Sequence, residues 1–173
     1  MVGPPSLSVS RGTHRPRSGS ATVVAYVIDT SALVRRYHRW ESASDRVVEI
    51  HNQRTSDGIL VVNRIVIVEM ASAFANAERN RFLITAEKNR LIAEFREACV
   101  FEYRLIAVSR ALIDTAAVVA SEHQIRALDA IHIATALTVV AEVRPVGGVR
   151  FVTADYQQAR VAMAIGLDTE VIV

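Results

Sequence analysis

The sequence contains very little of several residue types, and each shortage excludes a class of protein. Cys99 is the only cysteine among 173 residues, so no disulfide can form within the chain. No apolar run reaches the ~18 residues of a membrane-spanning helix, and no segment has the pattern of a secretory signal. The thiol falls in a helical pattern between Ala98 and Val100. We therefore expect a buried Cys99 in a cytoplasmic protein that has no membrane partner.

Lysine is as scarce as cysteine, because 19 of the 20 basic residues are arginine. Three of these arginines lie in residues 1–22, a stretch that also holds three of the four prolines and no acidic residue. We interpret residues 1–22 as a disordered basic tail, or as an extension upstream of the domain. Residues 23–173, the predicted single domain, keep 17 basic and 18 acidic residues, which is a net charge near −1. The global charge of this domain therefore gives no argument for nucleic-acid binding.

Short apolar runs alternate with longer helical patterns from residue 23 onwards. Strands separated by such long connections usually pair in parallel. The predicted strands are 23–28, 59–62, 103–108, 149–153 and 169–173, and the predicted helices are 32–37, 41–54, 64–80, 86–100, 110–124, 125–140 and 156–165. Asn63, Thr85 and Ser109 are predicted to cap the helices that follow them. The pattern indicates an α/β fold in which a central, mostly parallel sheet of four or five strands is flanked by helices.

Four acidic residues stand where a charge is costly to keep. Asp29 directly follows the first predicted strand, and Asp155 lies two residues after the end of the fourth. Glu69 and Asp129 lie within apolar helical runs. Each has an ordinary explanation by itself, such as a helix N-cap for Asp155 or a salt bridge for Glu69. Together they can converge on the carboxyl edge of the sheet, where open α/β folds bind their ligands.

Carboxylates gathered at this edge would need a cation. Their repulsion is expected to raise their pKa values and to destabilise the fold, whereas a bound dication would reverse that effect. Mg²⁺ and Mn²⁺ prefer oxygen ligands. We therefore expect Mg²⁺ or Mn²⁺ to be held by Asp29, Glu69, Asp129 and Asp155, with a metal-activated water that hydrolyses a phosphodiester bond.

Three further polar residues lie close to these acids in the sequence. Ser31 and Thr153 each stand two residues from one of the acids, and they could orient a carboxylate or a water molecule, or simply cap a turn. His132 lies one turn after Asp129. We interpret His132 as a hydrogen-bonded core histidine rather than as a ligand, because Mg²⁺ sites prefer oxygen.

Four segments of the sequence together resemble the PIN-domain family, and within it the VapC-type ribonuclease toxins. The segments are VIDTSALV around Asp29, NRIVIVEMASAF around Glu69, ALDAIHIATAL around Asp129 and FVTADYQQARVA around Asp155. The resemblance covers about residues 23–173. It implies an endoribonuclease that depends on Mg²⁺ or Mn²⁺ and leaves a 5′-phosphate, a cognate antitoxin protein that blocks the site, and a homodimer. In the family pattern Asp29 and Asp129 match the positions most directly tied to the metal, and Glu69 and Asp155 complete the catalytic cluster.

Other folds that place an acid after the first strand fit less well. A haloacid-dehalogenase-type phosphatase needs a second acid where this chain has Ser31, and a receiver domain needs a lysine after a late strand, whereas Lys88 is predicted on a polar helix face. A flap-type nuclease carries more acids and a longer chain. The alternative that remains is a non-catalytic PIN-fold module that binds a protein partner or RNA without cutting it.

Overall fold

A five-stranded parallel sheet forms the centre of the molecule. The computed structural model describes residues 23–37, 44–52, 58–143 and 147–173, so the predicted tail at 1–22 lies outside the described residues. The strands are β1 (Val23–Ile28), β2 (Ile59–Asn63), β3 (Tyr103–Ile106), β4 (Gly148–Thr153) and β5 (Asp168–Val171). Their order in the sheet is β3-β2-β1-β4-β5, and every neighbouring pair is parallel. The predicted α/β fold with a parallel sheet is confirmed.

Helices cover both faces of this sheet. They are α1 (Thr30–Leu33), which continues into a 3₁₀ turn (Val34–Arg36), α2 (Ser44–Asn52), α3 (Val66–Arg79), α4 (Thr85–Phe101), α5 (Arg110–Glu122), α6 (Ala127–Val143) and α7 (Tyr156–Ala164). Among the described residues, no helix is both long enough and apolar enough to cross a bilayer.

Alternate residues of the central strands contribute to two separate apolar clusters. Ile28 and Val62 belong to the cluster beneath α3 and α4, whereas Val27 and Phe151 belong to the cluster beneath α5 and α6. Strands buried on both faces read as continuous apolar runs, which is why the sequence showed no alternation of polar and apolar residues in them. Cys99 is buried in the first cluster, as predicted.

The starts of the helices correct two predictions. Ser109 caps α5 as predicted, because its hydroxyl accepts a hydrogen bond from the Leu112 N–H at 3.2 Å. Asn63 is not a cap: it is the last residue of β2, and its side chain accepts a hydrogen bond from the Ile65 N–H in the turn that precedes α3. Thr85 is the first residue of α4 rather than its cap.

The order of the strands creates a crevice at one edge of the sheet. The chain proceeds from β1 outward to β2 and β3, and then returns to the other side of β1 to form β4 and β5. The connections that leave β1 and β4 therefore diverge, and a crevice opens beyond the carboxyl ends of these two strands. Asp29 and Asp155 follow these two strands, so the topology places both acids at the crevice.

Asn63 also fixes helix α6 to the sheet. Its side chain is fully buried and donates a hydrogen bond to the Thr135 hydroxyl at 2.7 Å, in addition to accepting one from the Ile65 N–H. We predict that Asn63→Ala lowers the free energy of unfolding by about 2 kcal/mol or more, because two hydrogen bonds are lost and the partly buried N–H of Ile65 is left without its partner. Urea denaturation measures this change. The exposed Asn89→Ala in α4 is the control, and an equal effect of both substitutions would contradict the role of Asn63.

Candidate active site

Asp29 is the most deeply buried of the four acids, with 3% of its surface exposed. It follows β1 directly and caps α1, because its Oδ1 accepts a hydrogen bond from the Ala32 N–H at 2.9 Å. Two hydroxyls also hold the carboxylate: the Ser31 Oγ lies 2.9 Å from both oxygens, and the Thr153 Oγ1 lies 3.0 Å from Oδ2. The cap explains why α1 begins at Thr30 and not at residue 32 as predicted.

Burial raises the pKa of Asp29 above its ordinary value. The charge of His132 and the hydrogen bonds from Ala32, Ser31 and Thr153 lower the pKa, but they do not cancel the effect of burial. The donors that the described residues supply to Asp29 are neutral groups, and neutral donors compensate a buried charge less than a cation does. The ionised form of Asp29 would therefore be stabilised by a cation in the crevice.

Glu69 is held by two residues from other parts of the chain. It lies in the first turn of α3, where its Oε2 accepts a hydrogen bond from the Thr30 hydroxyl at 2.5 Å. The buried Nε2 of His132, on α6, lies 2.8 Å from the same oxygen. The predicted hydrogen-bonded histidine is therefore correct, and this histidine joins α6 to α3 across the crevice.

The pKa shifts of Glu69 and His132 both favour the charged form of the side chain. Burial lowers the pKa of His132, but the hydrogen bond to Glu69 and the charges of the surrounding acids raise it above the ordinary value. Burial raises the pKa of Glu69, but the hydrogen bonds from His132 and Thr30 and the charge of His132 lower it below its usual range. The expectation that mutual repulsion raises the pKa of every acid is therefore wrong for Glu69, because its interactions with His132 and Thr30 outweigh the effect of burial.

Asp129 and Asp155 share one arginine, which the sequence analysis did not identify. The Arg126 Nε donates to Asp129 Oδ2 at 2.6 Å, and a terminal nitrogen of the same guanidinium donates to Asp155 Oδ2 at 2.8 Å. The hydrogen bond to Asp129 is the main reason why the pKa of Arg126 is raised. The spacing of three residues between Arg126 and Asp129 on one helical turn was the available signal.

Asp155 caps α7 with one oxygen and binds Arg126 with the other. Its Oδ1 accepts hydrogen bonds from the Gln157 and Gln158 N–H groups at 2.8 and 3.0 Å, whereas Oδ2 contacts the arginine. The ordinary explanation of Asp155 as an N-cap is therefore correct, and it does not compete with a place in the site.

Gln158 is a second residue that the sequence analysis missed. It is fully buried, with its Oε1 2.7 Å from the Thr153 hydroxyl, and its Nε2 donates to the backbone carbonyl of Asp129 at 3.2 Å. Thr153 in turn contacts Asp29. Gln158 and Thr153 therefore connect Asp29 to the first turn of α6, which carries Asp129. Ser31 has a similar bridging position, because its Oγ also accepts a hydrogen bond from the Ala154 N–H at 2.8 Å.

All four acids line one open cavity of about 390 Å³, together with Thr30, Ser31, Arg126 and His132. Their carboxylate oxygens are the donors that Mg²⁺ and Mn²⁺ prefer, so the chemistry of the set fits such an ion. In the described part of the chain, however, no three His, Cys, Asp or Glu side chains stand in an arrangement that could hold a metal. Arg126 contacts one oxygen of Asp129 and one of Asp155, and His132 contacts one oxygen of Glu69, so part of this oxygen set is already paired within the chain.

The family model of the PIN domain matches residues 26–163, which include all four acids. The chain belongs to the PIN-domain family. No curated protein matches the sequence.

Three solved structures are similar to this PIN domain over most of their length. One is VapBC2 from Rickettsia felis bound to a DNA fragment from its promoter. It has 14% identity and a TM-score of 0.56, and the match covers 84% of this chain and 97% of that chain. A toxin–antitoxin complex from Klebsiella pneumoniae has 15% identity and a TM-score of 0.55, with 86% and 98% covered. FitAcB from Neisseria gonorrhoeae has 16% identity and a TM-score of 0.58, with 84% and 95% covered. At these identities the likeness shows the fold.

Asp129 contributes little to the stability of the metal-free protein if its contact with Arg126 is a surface ion pair. We predict that Asp129→Asn changes the free energy of unfolding in EDTA by less than about 1 kcal/mol, because the arginine is 72% exposed and exposed pairs are weak. Thermal and urea denaturation measure the change, with the exposed Asp114→Asn in α5 as the control. A loss of more than about 2 kcal/mol for Asp129→Asn alone would show that Asp129 is a structural residue.

Proposed function

We propose that this PIN-domain protein is an endoribonuclease dependent on Mg²⁺ or Mn²⁺, of the VapC type, and that it is the toxin of a toxin–antitoxin pair. The observation that carries the proposal is the cavity, in which four carboxylates from four separate parts of the chain line one opening at the carboxyl edge of the sheet. Family membership adds to this, because all four acids lie within the matched region.

The four acids have different parts in the proposed site. Asp29 and Asp129 would be the principal ligands, and Glu69 and Asp155 would complete the oxygen set. A bound ion would supply Lewis-acid activation of the attacking water and would neutralise negative charge on the phosphodiester oxygens. No covalent nucleophile from the chain is needed for this hydrolysis.

The chain itself prepares the acids for this reaction. Ser31, Thr153 and the Ala32 N–H fix the orientation of Asp29, so that little reorganisation is needed when a ligand binds. His132 and Thr30 hold Oε2 of Glu69 and lower the pKa of this acid, which favours its ionised form. Gln158 and Thr153 couple the position of Asp29 to that of α6.

The similar solved structures support an antitoxin as the proposed partner. Two of the similar folds were solved as a VapBC2 assembly and as a toxin–antitoxin complex. An antitoxin that places an arginine among the acids would pair with carboxylates that otherwise serve the metal. We also propose that the protein acts as a homodimer, which is the commonest symmetric assembly.

The reaction is tested by cleavage of total RNA with the purified protein. We predict cleavage with Mg²⁺ or Mn²⁺, no cleavage in EDTA, and a loss of at least about 100-fold in rate for Asp29→Asn, because this substitution removes a ligand charge while it keeps the side chain's shape. Asp114→Asn is the matched control, because Asp114 is an exposed acid on α5 and does not line the cavity. Cleavage that persists in EDTA, or at an undiminished rate in Asp29→Asn, would refute the metal mechanism.

The alternative function, a non-catalytic PIN-fold module, makes a different prediction in the same experiment. Such a module would bind RNA or a protein partner but would leave every RNA intact with either metal. Calorimetric titration of the protein with Mn²⁺ separates the nuclease from the module. An absence of both metal binding and cleavage would favour the module.

The partner is tested by co-expression of the chain with any small protein that is encoded next to it. We predict that the two proteins co-purify, that the complex does not cleave RNA, and that sedimentation of the isolated chain gives twice the mass of one chain. A neighbouring protein that neither binds nor inhibits would remove the proposed antitoxin. A monomer that cleaves RNA at full rate would remove the proposed dimer.

A further inference from the structure

Arg126 lies at a place in the fold where a cation needs a compensating partner. Its backbone carbonyl accepts a hydrogen bond from the Ala130 N–H, so the residue stands at the N-terminal end of α6. The N-terminus of a helix carries partial positive charge, which disfavours a nearby cation. The side chain also extends to Asp155, the N-cap of α7, and so lies near a second helix N-terminus. The two carboxylates Asp129 and Asp155 are what make this position favourable for Arg126.

The arginine holds oxygens that a metal ion would need. It donates to Oδ2 of Asp129 and to Oδ2 of Asp155, and both acids line the cavity. Two carboxylates and one guanidinium leave a net charge of −1, whereas two carboxylates and one dication are neutral. Both cations satisfy the same repulsion between acids, so they compete for the same two side chains.

The exposure of Arg126 makes this competition reversible. Its side chain is 72% exposed, whereas those of Asp129 and Asp155 are 17% and 27% exposed. Its backbone is anchored at the start of α6, so the guanidinium can leave the acids without unfolding any helix. By contrast, His132 is buried against Glu69 and has no comparable route to solvent.

We propose that Arg126 is an internal counter-cation: it pairs with Asp129 and Asp155 in the metal-free protein and is displaced from them when a divalent cation binds. This inference depends on the proposed metal site. Arg126 is thus a positioning residue, which keeps the two acids together before the ion arrives and weakens the ion's apparent affinity in return.

Metal titration tests the competition. The full chain is freed of metal with EDTA, dialysed and titrated with Mn²⁺ in a calorimeter. We predict that Arg126→Gln tightens the Kd for Mn²⁺ about three- to tenfold, because a competitor that makes two exposed ion pairs is removed. Arg126→Lys should lie between the two proteins, because an ammonium keeps the charge but lacks the fork that reaches two carboxylates.

Arg104→Gln is the matched control. Arg104 donates to Glu142 at 2.6 Å, so the substitution also breaks an exposed ion pair of α6. Glu142 lies 13 residues after Asp129, about 20 Å further along the helix. This substitution should leave the Kd for Mn²⁺ unchanged.

A second measurement separates competition from a merely structural role. Arg126→Gln should lower the melting temperature in EDTA and should increase the rise in melting temperature that Mn²⁺ produces. A structural role would lower the melting temperature with and without metal and would leave that rise unchanged or smaller. If the wild-type protein binds Mn²⁺ and Arg126→Gln binds it equally or more weakly, the inference is overturned but the metal-dependent function is not. No binding of Mn²⁺ by either protein would overturn the metal-dependent function, and the inference with it.

Discussion

The structure depends on how four carboxylates are neutralised at the carboxyl edge of one sheet. A parallel sheet whose strand order reverses between β1 and β4 collects these acids at its crevice, and their mutual repulsion would oppose folding. The chain itself supplies partners for three of them, since Glu69 contacts His132, and Asp129 and Asp155 share Arg126. Asp29 is instead held by hydroxyls and a backbone N–H, and its pKa stays above the ordinary value because these donors do not cancel the effect of burial. These internal contacts therefore reduce the repulsion between the acids when no metal ion is bound.

The different burial of these partners divides the site into a fixed half and an exchangeable half. Asp29, Glu69 and His132 are tied by partners that reach them from β4, α1 and α6, and Asp29 and His132 are almost fully buried. Asp129 and Asp155 are more exposed and are joined by a side chain that is mostly in solvent. A ligand that arrives from solvent therefore meets a preformed carboxylate pair on one side and a replaceable ion pair on the other.

Much of the fold and the membership of the acidic cluster could be predicted because their signals are local. An apolar run that ends in an acid identifies Asp29, and an acid inside an apolar helix identifies Asp129 and Glu69. What compensates these acids could not be predicted, because it depends on packing between elements. Gln158 lies on an ordinary helix, and only the seating of α7 against β4 and α6 buries it. The wrong prediction for the pKa of Glu69 has the same origin, because Thr30 and His132 reach this acid only through the packing of α1 and α6 against α3.

The position of Arg126 shows why an excess of acid at this edge need not make the protein unstable before its ligand arrives. An exposed ion pair contributes little to folding, on the order of 1 kcal/mol or less. That small contribution is nevertheless enough to hold two carboxylates near one another, because the helix N-termini of α6 and α7 already favour negative charge at both positions. A partner as deeply buried as His132 would hold these acids too firmly to be exchanged. A weak and solvent-exposed one keeps them assembled while it leaves the oxygens accessible to a ligand of higher charge.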